Sequence, residues 1–113
     1  MQTVTIVTAL PDRDGNYPEP FGYAHTALLA RLARWAADHA TDGLGFTLTP
    51  SVGGGGGWDI EAGATFTFAQ VDAVDVPLVH AFAETLRAHL AQQAVVLLER
   101  DERFTLVTLP RAS

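Results

Sequence analysis

The sequence predicts an α+β protein in which two helices pack on one face of an antiparallel β-sheet. Five segments are rich in the β-branched and aromatic residues that are typical of strands. Two further segments repeat apolar residues at intervals of three and four, which is typical of amphipathic helices. Because each helix has a single apolar stripe, both are expected on the same side of one sheet, in a two-layer sandwich.

The first half of the chain begins with a strand and a helix joined by a long loop. Residues 2–10 alternate Thr with Val and Ile, which favours a strand. Residues 11–23 contain three Pro and two Gly, and a loop of this length is often functional. A helix is predicted from Ala24 to Ala40, ended by Gly43. Its apolar stripe is spaced by four, three and four residues, and comprises Leu28, Leu32, Trp35 and His39.

A glycine-rich segment separates the next two predicted strands. Residues 44–52 read as a strand that Pro50 weakens near its end. Five consecutive glycines, Gly53–Gly57, follow and are expected to form a mobile hairpin tip. Residues 60–71 then place Phe66 and Phe68 on one face of a strand.

The second helix and two final strands complete the predicted order. Asp75 is a good N-cap residue, and Pro77 is tolerated in a first helical turn. The buried stripe of this helix is expected to include Phe82 and Leu86. Residues 94–100 and 104–109 are the last two strands, joined by a turn.

The resulting order is β-α-β-β-α-β-β, which is the ferredoxin-like arrangement with one extra hairpin strand. No internal repeat or linker interrupts it, so residues 1–113 are predicted to form a single domain. Strand one carries apolar residues on both faces, Val4 and Ile6 on one and Val7 and Ala9 on the other. A homo-oligomer that covers the second face is therefore expected.

The composition excludes several classes of function. The net charge is −6, and the seven basic residues are all Arg, so nucleic-acid binding is not expected. The absence of Lys excludes Schiff-base chemistry and a Walker-A phosphate loop, and the absence of Cys excludes disulfides and thiolate chemistry. Neither a membrane-spanning stretch nor a signal peptide is recognisable, so a soluble, cytoplasmic protein is expected.

No catalytic, cofactor or metal motif is present, so none of these is predicted, and the candidate sites are small clusters. The glycine-rich loop lacks a neighbouring basic residue and matches no nucleotide-binding fingerprint. Asp59 and Glu61 share one strand face, opposite that of Trp58 and Ile60, and could bind a ligand, although such pairs are commonly solvated. The histidine spacings form no metal site.

His25 is the histidine with the best case for a functional role. It opens the first helix, next to a loop that contains Tyr17 and Phe21, and it follows Tyr23. These aromatic rings could line a pocket around the imidazole, or they could simply pack the loop onto the sheet. The predicted ligand-binding residues are therefore Tyr23, His25, Trp58, Asp59 and Glu61.

Three sequence stretches resemble small bacterial domains of unknown function. They are PDRDG at 11–15, GFTLTPSVGGGGGW at 45–58 and QQAVVLLE at 92–99. The resemblance implies a ferredoxin-like core and no catalytic residue. The arrangement is also similar to that of PII-like regulatory proteins, which are trimers that bind nucleotides with a long loop between strands two and three. That loop has no basic residue here, so ATP binding is not expected.

Two functional hypotheses remain open. The first is a non-catalytic module that binds a small ligand or a protein and acts as a homo-oligomer. The alternative is a cofactor-independent enzyme of the dimeric α/β-barrel type, an isomerase or monooxygenase. In that enzyme His25 and Tyr23 would handle protons, and Trp58 would form a wall of the pocket. The sequence does not decide whether the protein is an enzyme.

Overall fold

The computed structural model describes residues 2–91, 94–98 and 104–108, and the side chains up to residue 91 apart from that of Trp58. The elements in chain order are β1 (Gln2–Ala9), α1 (Tyr23–His39), β2 (Thr47–Gly55), β3 (Trp58–Val71), a 3₁₀ turn (Ala73–Asp75), α2 (Val76–His89), β4 (Ala94–Leu98) and β5 (Phe104–Thr108). The predicted α+β class is confirmed. Residues 99–100 and 109, which were expected to extend the last two strands, lie outside the described residues.

The strands form one sheet with the spatial order β2-β3-β1-β4-β5. Every neighbouring pair is antiparallel. β1 lies in the middle, where Ile6 is paired with Phe66 on β3 and with Leu97 on β4. A central position suits a strand that consists almost entirely of β-branched residues.

The hydrophobic core lies between the helices and one face of β1 and β3. Alternate strand residues, including Ile6, Phe66 and Phe68, are fully buried and pack against apolar residues of both helices. The Phe82 ring on α2 meets the rings of Phe66 and Phe68 edge-on, with centroids 5.0 and 5.4 Å apart. The predicted core positions Phe66, Phe68, Phe82 and Leu86 are confirmed, because each is at most 1 % exposed.

The opposite face of β1, β2 and β3 carries threonine hydroxyl groups beside the apolar residues that the sequence analysis placed on β1. Thr5, Thr67 and Thr47 are paired across the three strands and form one row on this face. Val7 and Ala9 are present there as predicted, and both are half-buried. This part of the sheet is therefore mainly a threonine surface with a small apolar area.

The five glycines do not form a five-residue tip, which corrects the expectation for Gly53–Gly57. β2 continues to Gly55 and β3 begins at Trp58, so only Gly56 and Gly57 form the turn. Gly57 has φ +85°, a conformation that favours glycine. The first three glycines can continue the strand because a β-ladder is held by backbone hydrogen bonds and needs no side chains. The hairpin projects beyond the end of β1, whose last paired residue is Ala9.

The start of α2 also differs from its expected form. Asp75 occupies the N-cap position, but its side chain makes no capping hydrogen bond. The preceding 3₁₀ turn holds Asp75 in a helical conformation, with φ −97° and ψ −7°. A capping side chain normally needs an extended backbone to reach the first-turn N–H groups. Among the described residues, no helix is long and apolar enough to span a membrane.

Candidate functional site

A cavity of about 590 Å³ opens at the end of the sheet where β1 finishes. It lies between the loop after β1, the middle of α1 and the C-terminal end of α2, and its volume is typical of a site for a small molecule. Its apolar lining is formed by Leu10, Pro11, Leu28, Leu32 and Leu90. Its polar lining is formed by Asp12, Arg13, Tyr17, Arg31 and His89.

Asp12 holds the loop that forms the rim of this cavity. Its Oδ1 atom accepts hydrogen bonds from the backbone N–H groups of Asp14 and Asn16, both at 2.9 Å. The Asp12 N–H donates to the carbonyl oxygen of Asn16 at 2.7 Å, and its own carbonyl accepts from the N–H of Gly15 at 3.0 Å. This Asx-type closure fixes the backbone that presents Arg13 and Tyr17 to the cavity.

Two arginines bring positive charge to the cavity from different elements. Arg13 belongs to the rim loop, and Arg31 belongs to α1. Neither forms an ion pair with any residue in the described part of the chain. Asp12, the one carboxylate that lines the cavity among the residues with a described position, already accepts two loop hydrogen bonds. The guanidinium groups are therefore available to an anionic ligand.

His89 closes the cavity at the end of α2. Its ring stacks on the indole of Trp35, with centroids 3.8 Å apart and an interplanar angle of 7°. Burial lowers the pKa of His89 below its ordinary value of 6.5, because desolvation disfavours the imidazolium. At neutral pH, the neutral ring is therefore the favoured form beside the two arginines.

His25 is fully buried and its two ring nitrogens are both hydrogen-bonded. Its Nδ1 atom accepts from the backbone N–H of Phe21 at 2.9 Å, so Nε2 carries the proton and donates to the carbonyl oxygen of Gly63 at 2.7 Å. These bonds tie the loop and α1 to β3. β1 and β3 approach each other closely at this point, since a Cβ on Gly63 would lie 2.6 Å from the carbonyl oxygen of Thr8.

The aromatic residues near His25 do not converge on one pocket. Tyr23 is 92 % exposed and Phe21 is 63 % exposed, with the Phe21 ring 5.8 Å from the imidazole. Of these loop residues only Tyr17 lines the cavity. His25 itself has no ring nitrogen left to exchange a proton with a ligand. Its position indicates a structural role.

Asp59 and Glu61 lie near the start of β3, on the projecting hairpin. Asp59 is exposed and Glu61 is half-buried. Neither residue lines the cavity, and the Trp58 side chain lies outside the described residues. The residues described here contain no group of three or more side chains suited to hold a metal ion. Ligand binding by Trp58, Asp59 and Glu61 stays a prediction.

The sequence analysis missed the cavity but did single out the loop that forms its rim. The D-x-D-G-N pattern at Asp12 is a recognisable signal for an Asx turn. Arg31 lies outside the apolar stripe of α1 and carried no signal of its own. Nothing in the local sequence connects it with Arg13 or with His89.

Comparison with solved structures found the same general fold in a phage SAM lyase. The lyase in complex with S-methyl-5'-thioadenosine is 13% identical to this chain, with a TM-score of 0.56, and the match covers 96% of this chain and 89% of that one. The apo lyase is 17% identical, with a TM-score of 0.55 and coverage of 99% and 92%. No protein-family model and no curated protein matches the chain. At this identity the likeness concerns the fold alone.

Proposed function

We propose that this protein is a non-catalytic binding or regulatory module that takes a small ligand in the cavity beneath the loop after β1. The observation that carries the proposal is the cavity itself, about 590 Å³ in volume, which two arginines and four leucines line. The four leucines, called the leucine floor below, are Leu10, Leu28, Leu32 and Leu90. An apolar lining with a few convergent polar groups is the usual form of a small-molecule site. The fixed rim loop supports this function, since an ordered site loses little entropy on binding.

We further infer that the arrangement of the chain is ferredoxin-like. β1 lies between β3 and β4, β2 pairs with the outer side of β3, and β5 adds an edge strand next to β4. These neighbours fit the split βαβ pattern with one additional hairpin strand.

Self-association is part of the same proposal. Among the side chains that the structure describes, six large apolar ones are exposed, and five of them belong to the loop after β1, the first turn of α1 and the β2–β3 hairpin: Tyr17, Phe21, Tyr23, Val52 and Ile60. Such clustering is typical of an interaction surface. A subunit contact there would also cover Asp59 and Glu61. Sedimentation that detects only a 12.1 kDa species would contradict this part of the proposal.

A neutral fluorescent probe, N-phenylnaphthylamine, tests the cavity directly. It should bind the parent protein with increased emission, because its rings fit an apolar floor. Leu28→Trp places a larger side chain in the cavity and should abolish binding. Leu29→Trp is the matched control, since Leu29 is half-buried on the same helix but does not line the cavity. Equal binding by the two variants, or none by the parent, would contradict the proposal.

An enzyme is the second candidate, and the fold shared with a phage SAM lyase favours it. Such an enzyme would work without a cofactor, like the isomerase or monooxygenase that the sequence analysis kept as the alternative. His25 is a poor proton carrier in such an enzyme because both of its ring nitrogens are hydrogen-bonded. Incubation with SAM, followed by chromatography for S-methyl-5'-thioadenosine, separates the two functions. Product formation above the protein-free rate would show that the protein is a lyase and would contradict the proposal of a binding module.

A further inference from the structure

The two arginines of the cavity differ from the buried arginine of α2 in their partners. Arg87 donates from Nε to both carboxylate oxygens of Glu84 at 3.1 Å and from Nη2 to Oε1, in a bidentate ion pair. Arg13 and Arg31 have no such carboxylate within the described residues. Within the described part of the chain, an arginine on α2 is therefore paired with an acidic residue, whereas the two arginines beside the cavity have no ion-pair partner.

The positive charge of Arg13 and Arg31 contrasts with the net negative charge of the protein. The protein as a whole has thirteen acidic and seven basic residues. Among the described residues, Asp12 is nevertheless the only acidic one that lines the cavity, and its Oδ1 atom is occupied by loop N–H groups. A cavity with a net positive lining in a chain of charge −6 attracts anions against the overall field of the molecule.

The guanidinium group restricts the kind of anion. Its planar set of N–H donors matches two oxygens of a carboxylate or phosphate, and such charge-assisted bonds are stronger than neutral ones. The remainder of the ligand would face the leucine floor and the Tyr17 ring, which favour an apolar or planar group.

We infer that the ligand of this cavity is a small molecule with a carboxylate or phosphate group bound by Arg13 and Arg31, next to a planar apolar part that lies on the leucine floor. The inference rests on the proposed function and adds the chemical class of its ligand. The anion binds through the two guanidinium groups, and the rim loop holds Arg13 in place.

Two fluorescent probes that differ by a single anionic group test the inference. Anilinonaphthalene sulfonate is N-phenylnaphthylamine with an added sulfonate. Arg31→Gln and Arg13→Gln should each weaken its binding by about tenfold, the loss expected for one charge-assisted hydrogen bond. The same substitutions should leave binding of N-phenylnaphthylamine within about twofold. Arg34→Gln is the matched control, because Arg34 is exposed on α1 and does not line this cavity.

The outcomes separate this inference from the function on which it rests. If N-phenylnaphthylamine fails to bind the parent, the proposed function is wrong and the inference falls with it. If it binds but both arginine variants keep parent affinity for the sulfonate probe, only the inference is overturned. Displacement of that probe by naphthoate or by naphthyl phosphate supports the inference, and the stronger competitor identifies the anion. Displacement by neither compound overturns it.

Discussion

Replacing His25 with phenylalanine should destabilise the protein by about 3 kcal/mol, because the change keeps an aromatic ring but removes two buried hydrogen bonds. The His25 side chain is 0% exposed. Its Nε2 atom lies 2.7 Å from the carbonyl oxygen of Gly63, and its Nδ1 atom lies 2.9 Å from the backbone nitrogen of Phe21. A phenyl ring can occupy the same space but can replace neither contact.

The magnitude follows from the two backbone groups that lose their partners. A buried polar group without a hydrogen bond costs roughly 1–3 kcal/mol. The contact with Gly63 is buried and the contact with Phe21 is partly buried, so the second should cost less. A loss of about 3 kcal/mol is a large part of the 5–15 kcal/mol that stabilises a typical domain.

Urea unfolding of the parent and two variants measures this effect. His25→Phe should lower the midpoint without changing the slope, which would mean that stability and not compactness has changed. His39→Phe is the control, since His39 is exposed on the same helix and its ring contact with the Trp35 carbonyl is 3.4 Å long. This variant should lie within about 0.5 kcal/mol of the parent. Equal midpoints for the two variants would refute the role assigned to His25.

Three further predictions concern the core, the hairpin and the cavity. Phe82→Ala should destabilise by roughly 3–5 kcal/mol, since it removes a ring packed among other rings, and near-parent stability in urea would contradict this. Gly57→Ala should lower the free energy of unfolding by about 1–2 kcal/mol, because Gly57 has a positive φ. Gly53→Ala should be neutral or slightly stabilising, since nothing lies close to the position of the added Cβ. Equal thermal midpoints for the two variants would argue against the two-residue turn. Burial lowers the pKa of His89, so the unfolded chain takes up this proton more readily and stability falls as the pH drops below 6.5. His89→Gln should lose less thermal stability than the parent between about pH 7.5 and about pH 5.5, and an equal loss would exclude this linkage.

Local patterns in the sequence were enough to predict the secondary structure and the core. Strand alternation put Phe66 and Phe68 on one face, and helical spacing put Phe82 and Leu86 on a buried stripe. These features repeat over two to four residues, so they can be read without knowledge of the partner elements. The same reasoning identified the loop after β1 as a functional candidate.

Local patterns were misleading where a neighbour changed the outcome. The glycines at 53–55 have no side chains that favour a strand, yet pairing with β3 keeps them in one. Asp75 has the side chain of a helix cap, but the 3₁₀ turn before it prevents the capping geometry. In both cases the backbone context outweighed the residue's own propensity.

The sequence by itself determined the class of fold, the order of the elements and the core positions Phe66, Phe68, Phe82 and Leu86, because these follow from short periodicities. Only the tertiary structure decided what His25 does, since its partner Gly63 is 38 residues away. The same holds for the cavity, where Arg13, Arg31 and His89 come from a loop and two helices. Their proximity depends on how the loop and the two helices pack together, which no local spacing in the sequence encodes.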